Sequence, residues 1–141
     1  MILDTTITNR YNNNLIKDLV GKPFSFFKWL KFKEITCRNL VIDEVSPNFI
    51  DYFNNSSDIK ANLELRPYGV IVKFQIALKN YSWVIPFYHL AIYKTNGISI
   101  HANGRFIHFK NNKSLKKNKS FFNTLLDFKA KSEFQYSFTP I

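Results

Sequence analysis

Cysteine, glycine and acidic residues are all scarce in this chain of 141 residues. The single cysteine, Cys37, leaves no partner for an intrachain disulfide and predicts a reducing compartment. The four glycines stand in no phosphate-cradling arrangement, and G-x-S-x-G, H-E-x-x-H and paired C-x-x-C are missing. The ten Asp and Glu residues are scattered. Asp43 and Glu44 are adjacent, so a strand would point them to opposite faces. No run reaches the ~18 apolar residues of a membrane-spanning helix. The opening "MILDTTITNRYNNNL" lacks a basic stretch followed by an apolar one, so no secretory signal is read. These absences predict a cytoplasmic protein that is not an enzyme and holds no cofactor and no metal.

Aromatic residues are plentiful, at 17% with 15 Phe, and apolar residues reach 45%. That is ample for the core of one domain over 1–141. The net charge is +10, carried by 16 Lys and only 4 Arg. A surplus of this size points to polyanions, nucleic acid or an anionic membrane surface. The competing reading is compositional. Lysine, asparagine and isoleucine together are what an A+T-rich coding sequence yields, and dedicated nucleic-acid readers favour the arginine fork.

Along the chain, Leu15, Ile16, Leu19 and Val20 form a stripe of helical period, with Asn12 to Asn14 available as N-cap and Gly21 at the C-terminal side. "FSFFKWLKFKEIT" (24–36) fits neither helix nor strand cleanly; Lys28, Trp29, Lys31, Phe32 and Lys33 make it both basic and aromatic. A strand is expected at 38–45 and a turn at Ser46-Pro47-Asn48. From 61 to 110 the period is that of strands. Val70, Val72, Phe74, Ile76 and Leu78 make one run, broken at Asn80, and Tyr81, Trp83 and Ile85 alternate with Ser82 and Val84. Pro86 must stand at a strand end, edge or bulge. "KNNKSLKKNKS" (110–120) reads as a solvated lysine loop. Phe121, Phe122, Leu125, Leu126 and Phe128 then give a C-terminal amphipathic helix over 120–134, with Ser120 as candidate N-cap. The expected architecture is α+β: an N-terminal helical and aromatic segment with a first strand (1–60), then antiparallel strands (61–110), some six or seven strands in all, closed by the helix.

The stretch "YKTNGISIHANGRFIHF" (93–109) fixes a register. A shift of one residue exchanges the two faces of a strand, so turn length is decisive. A two-residue turn at Asn96-Gly97 mixes apolar and polar residues on both faces. A three-residue turn, Thr95-Asn96-Gly97, pairs Ile92 with Ile100, and a two-residue Asn103-Gly104 turn pairs Ile100 with Ile107 and Ile98 with Phe109. The inner face is then Leu90, Ile92, Ile98, Ile100, Ala102, Ile107 and Phe109. The outer face carries His89, Ala91, Tyr93, Ser99, His101, Phe106 and His108, so all three histidines share it. His101 and His108 would stand on a wide hairpin diagonal of roughly 7 Å, with no acidic partner expected beside them. Metal ligation and general-base chemistry are therefore not predicted. An amphipathic contact face (His89, Tyr93, His101, Phe106, His108) is, covered by the N-terminal segment, a ligand or a second copy.

"ELRPYGVIV" and "YSWVIPFYHLAIYKTNGISI" resemble the strand–turn–strand opening and the aromatic–Ile–Pro strand pair of bacterial pleckstrin-homology-like domains. The resemblance covers 61–135. It implies a small antiparallel barrel closed by a C-terminal helix, a role in protein contacts or near membranes, and no catalytic residue. The expected function is thus a binding or scaffold module for a protein partner or for self-association. The alternative is a polyanion binder using Lys28, Trp29, Lys31, Lys33, Lys113, Lys116, Lys117 and Lys119. A small-ligand carrier or enzyme using the histidine face ranks third.

Overall fold

The computed structural model describes residues 1–7, 9–25, 35–53 and 59–138, with side chains through 132 except that of residue 51. Eight strands form one antiparallel sheet: β1 (Ile2–Asp4), β2 (Thr36–Val45), β3 (Lys60–Arg66), β4 (Gly69–Ile76), β5 (Lys79–Pro86), β6 (Ala91–Tyr93), β7 (Gly97–Ala102) and β8 (Arg105–Lys110). Their order is β1-β5-β4-β3-β2-β8-β7-β6, so the sheet is open, with β1 and β6 at its edges. Among the described residues the helices are α1 (Arg10–Val20), α2 (Ile50–Phe53), α3 (Lys113–Lys117) and α4 (Lys119–Phe138). The strand missing from the sequence reading is β1, whose Ile2, Leu3 and Asp4 pair with Trp83, Ser82 and Tyr81. Three residues are too few to show a period.

The long strand β2 bends the sheet. It carries one extra residue against β3, between Cys37 and Leu40, and another against β8, between Ile42 and Glu44. Each bulge kinks the strand and adds twist; Asn39 takes a left-handed backbone at the first. The two halves of the sheet thereby share one core. Leu63, Leu65, Val70, Val72 and Trp83 from one side meet Ile100, Ile107 and Phe109 from the other. Phe49, fully buried on a 3-10 turn (Pro47–Phe49), fills the junction, 4.9 Å from the Trp83 ring, with the Arg105 guanidinium 5.3 Å over its own. Helix α4 adds Phe121, Phe122 and Leu125 to that core, and Phe24 stacks on Phe128 at 5.7 Å.

Helix α1 lies on the opposite face of the sheet, where Ile16 and Val20 pack on Ile71 and Val84. Strands β4 and β5 are therefore buried on both faces, which explains the continuous apolar reading of "GVIV" and "WVIP". Gly69 admits the helix: a β-carbon there would stand 2.4 Å from Val20 Cγ1 and 2.3 Å from the Ile85 carbonyl oxygen. Helix α1 thus covers β4 and β5 and not the histidine face. Its N-cap is Asn9, whose side chain accepts from the Asn12 amide, one turn earlier than expected.

Two further boundaries differ from expectation. The β4–β5 turn falls at Ala77-Leu78, not at Asn80, because Val70, Val72 and Phe74 pair with Ile85, Trp83 and Tyr81. Leu78 sits at the tip, 87% exposed, and Ala77 takes a left-handed backbone that its β-carbon disfavours. Within 110–120, Asn112 caps a helical turn, α3, through the Leu115 amide, and Leu115 is buried. Helix α4 begins at Lys119, so Ser120 lies inside it.

Candidate functional site: the outer face of β6, β7 and β8

The hairpin register is the expected one. Ile92 pairs with Ile100, Ile100 with Ile107, Ile98 with Phe109 and His101 with Phe106. Ile98, Ile100, Ala102, Ile107 and Phe109 are buried, and Ile92 is partly so. The opposite face brings Tyr93, His101 and Phe106 together. The Tyr93 ring meets His101 edge-on at 4.7 Å, and His101 stacks on Phe106 at 5.1 Å. Tyr93 is 56% exposed, and Ser99 and His108 occupy the next row. Burial among the rings lowers the His101 pKa, so its imidazole is neutral near pH 7. His89 does not join this face. It stands exposed on the 3-10 turn Phe87–His89, its ring 4.3 Å from Tyr88. The apolar run through Pro86 concealed the end of the strand.

His108 corrects the expectation that no acidic residue lies near the histidines. Its Nδ1 donates to Asp43 Oδ1 at 2.5 Å, and its Nε2 lies 3.3 Å from the Thr95 carbonyl oxygen. The second β2 bulge breaks simple alternation, leaves Asp43 and Glu44 both exposed, and sets Glu44 opposite His108. With acceptors at both ring nitrogens, the doubly protonated imidazolium is favoured. Burial pulls the pKa down, but the hydrogen bonds to Asp43 and Thr95 and the charges of Asp43 and Glu44 outweigh it, for a net rise. His108 thus ties the β2 bulge to the β6–β7 turn. Gly97 leaves room for it: there φ is 120°, and a β-carbon would stand 2.4 Å from the Phe109 carbonyl oxygen and 3.0 Å from the imidazole. The contact depends on pairing across 65 residues of sequence, which local spacing does not reveal.

Of the candidate polyanion residues, Lys28, Trp29, Lys31 and Lys33 lie outside the described residues. Lys113, Lys116, Lys117 and Lys119 are exposed along α3 and the start of α4. Asn118 Nδ2 donates to the Arg38 carbonyl oxygen at 3.2 Å and so seats this basic ledge beside the first β2 bulge. Among the described residues, the ion pairs are Glu64 with Arg66, Glu64 with Lys73, and Asp43 with His108; none involves those four lysines.

Sequence reasoning missed a groove of about 830 Å³ beside α1, lined by Thr5, Asn13, Asn62, Arg66 and Lys73. Its polar groups largely satisfy one another. Thr5 bonds Ser82 at 2.9 Å, the Asn39 amide donates to Asn62, and Lys73 reaches Glu64 at 2.9 Å. Burial pushes the Glu64 pKa up, but Lys73 and Arg66 hold it below the ordinary value. Cys37 is buried, its thiol pushed up to about 12. No group of three His, Cys, Asp or Glu that could hold a metal occurs among the described residues. No helix among them is long and apolar enough to cross a membrane. Comparison with protein-family models, curated proteins and solved structures finds no match to this chain.

Proposed function

We propose that this chain is a non-enzymatic binding module that engages a protein surface, of a partner or of a second copy, through the outer face of β6, β7 and β8. The observation that carries this reading is the Tyr93–His101–Phe106 stack, which leaves Tyr93 56% exposed. Aromatic side chains offer large contact area at low entropic cost, and uncharged His101 adds no desolvation of a full charge. The likeness to bacterial pleckstrin-homology-like domains supports it. The bent antiparallel sheet receives the apolar face of a C-terminal helix, and that class works by contact. The non-enzymatic part rests on the side chains best suited to chemistry. Both His108 nitrogens are engaged, His101 is wedged between rings, and Cys37 is a buried thiol.

The test compares the wild-type chain with Tyr93→Ser/Phe106→Ser, by sedimentation for self-association and by affinity isolation from native extract at low and physiological salt. The reading expects one complex or dimer that survives physiological salt and is lost in the double variant. Complexes that dissolve with salt and ignore the double variant refute it.

A second reading, polyanion binding, has one observation in its favour: the exposed ledge of Lys113, Lys116, Lys117 and Lys119 beside Arg38, none of whose four lysines forms an ion pair among the described residues. Salt sensitivity is its signature.

A further inference from the structure

We infer that His108 is a proton-operated latch: protonated, it fastens the β6–β7 turn to the second β2 bulge, and on losing its proton it frees that turn and with it Tyr93. Its part in docking rests on the protein-binding reading, in which Tyr93 anchors the contact face; the latch adds the regulation of that face. Three segments distant in sequence meet at the ring. His108 on β8 reaches Asp43 Oδ1 on β2 through Nδ1 and the Thr95 carbonyl oxygen through Nε2. Tyr93 ends β6 two residues before that carbonyl.

A carboxylate and a carbonyl accept hydrogen bonds and donate none, so the clasp needs both ring protons. A neutral imidazole keeps one. It keeps the one on Nδ1, because the opposite tautomer would set a lone pair against the Asp43 carboxylate at 2.5 Å. Nε2 then turns its lone pair on the Thr95 oxygen at 3.3 Å, and attraction becomes repulsion. Release is therefore directed: it opens at the turn and not at β2. The ring is already in close contact there, since a β-carbon on Gly97 would stand 3.0 Å from both Cε1 and Nε2. The wide conformational range of glycine gives the released turn other states to occupy.

The groups around the ring set the direction of the switch. Burial opposes the proton, while the hydrogen bonds to Asp43 and Thr95 and the charges of Asp43 and Glu44 on β2 favour it, for a net rise in pKa. From β7, Ser99 stands opposite and is uncharged, and His101, one row away, is neutral near pH 7. Lys94, before the turn, and Lys110, opposite Gly97, are exposed, and solvent and salt screen them. The latch is thus closed below the ordinary histidine value and opens as pH rises through the higher folded one. A closed turn presents Tyr93 already ordered and lowers the entropic cost of docking, and an open turn restores that cost. Docking through Tyr93 weakens on the alkaline side.

The test needs no ligand. On the isotope-labelled full chain between about pH 5.5 and 8.5, ring nitrogen shifts report the protonation and tautomer of His108. Carbon relaxation at the α-carbons of Thr95, Asn96 and Gly97 reports the turn. Expected are order parameters of about 0.85 with the ring charged and below about 0.6 with it neutral. The two titrations should share one midpoint, with the remaining proton on Nδ1 and the Asn103-Gly104 turn ordered throughout. Asp43→Asn lowers the His108 midpoint and the loosening moves with it, whereas His108→Gln removes the pH dependence. A turn equally ordered at both ends of the range overturns the latch. So does a loosening that ignores Asp43→Asn or persists in His108→Gln, or a neutral ring protonated on Nε2. If the turn loosens as expected while no complex depends on Tyr93 and Phe106, the latch stands and the binding reading alone falls.

Discussion

Replacing His108 by Gln removes the cationic tie between Asp43 and the Thr95 carbonyl while keeping a side chain of similar reach. A hydrogen bond to a charged group contributes ~1.5–3 kcal/mol in a protected site. Here the side chain of His108 is 15% exposed and that of Asp43 40% exposed, so solvent screening reduces the coupling to about 1 kcal/mol. The folded pKa of His108 is raised. Its stabilisation is therefore fully present below the ordinary histidine value, ~6.5, and is lost as pH rises through the higher folded value. His101 has the opposite sign: its lowered pKa makes protonation destabilising in acid, so the comparison must be made between variants and not on the wild type alone. The assay is thermal unfolding at about pH 5.5 and pH 8.5, which bracket histidine titration, for the wild type, His108→Gln and Asp43→Asn. The wild type should exceed His108→Gln by ~3–5 °C in acid, with the gap closing in base, and Asp43→Asn should reproduce most of the loss. A gap that is independent of pH, or that widens in base, refutes the cationic tie.

Four other outcomes are expected. Ile100→Asp places an unpaired carboxylate in a fully buried site and should cost several kcal/mol, on the order of 4; a cooperative melt near that of the parent would contradict the hairpin register. Ala77→Gly relieves the left-handed alanine of the β4–β5 turn and should raise stability by ~1 kcal/mol in urea titration. Leu125→Ala should lose ~2–5 kcal/mol, because Leu125 seats α4 in the core; a loss confined to a few tenths would place the helix outside it. Neutralising Lys113, Lys116, Lys117 and Lys119 should reduce a weak, salt-sensitive affinity for duplex DNA only in proportion to the charge removed. Trp29→Ala should then change little, because no base is stacked on it; a loss of ~1–3 kcal/mol per base would instead mark specific stacking.

The sequence made legible what short-range periodicity encodes. The hairpin from Ala91 to Lys110 follows from its two Asn-Gly turns and the demand for one apolar face, and Leu15 to Val20 and Phe121 to Leu125 announce their helices by spacing. Features set by distant pairing were not legible. Strand β1 exists because β5 offers an edge, and the Ala77-Leu78 turn is fixed by pairing between β4 and β5, not by turn residues. The bulges of β2 depend on β3 and β8 together, and with them the meeting of Asp43 and His108. Strand alternation predicted an acid-free histidine face. One extra residue in β2 was enough to undo it.

The claim that binding runs through the aromatic face is tested most directly by a residue-resolved NMR footprint of the isolated partner on the isotope-labelled chain at physiological ionic strength. The account predicts line broadening centred on Tyr93, Ser99, His101 and Phe106, with Lys113, Lys116, Lys117 and Lys119 undisturbed. A footprint centred instead on Arg38 and those four lysines, fading as salt is raised, would contradict it.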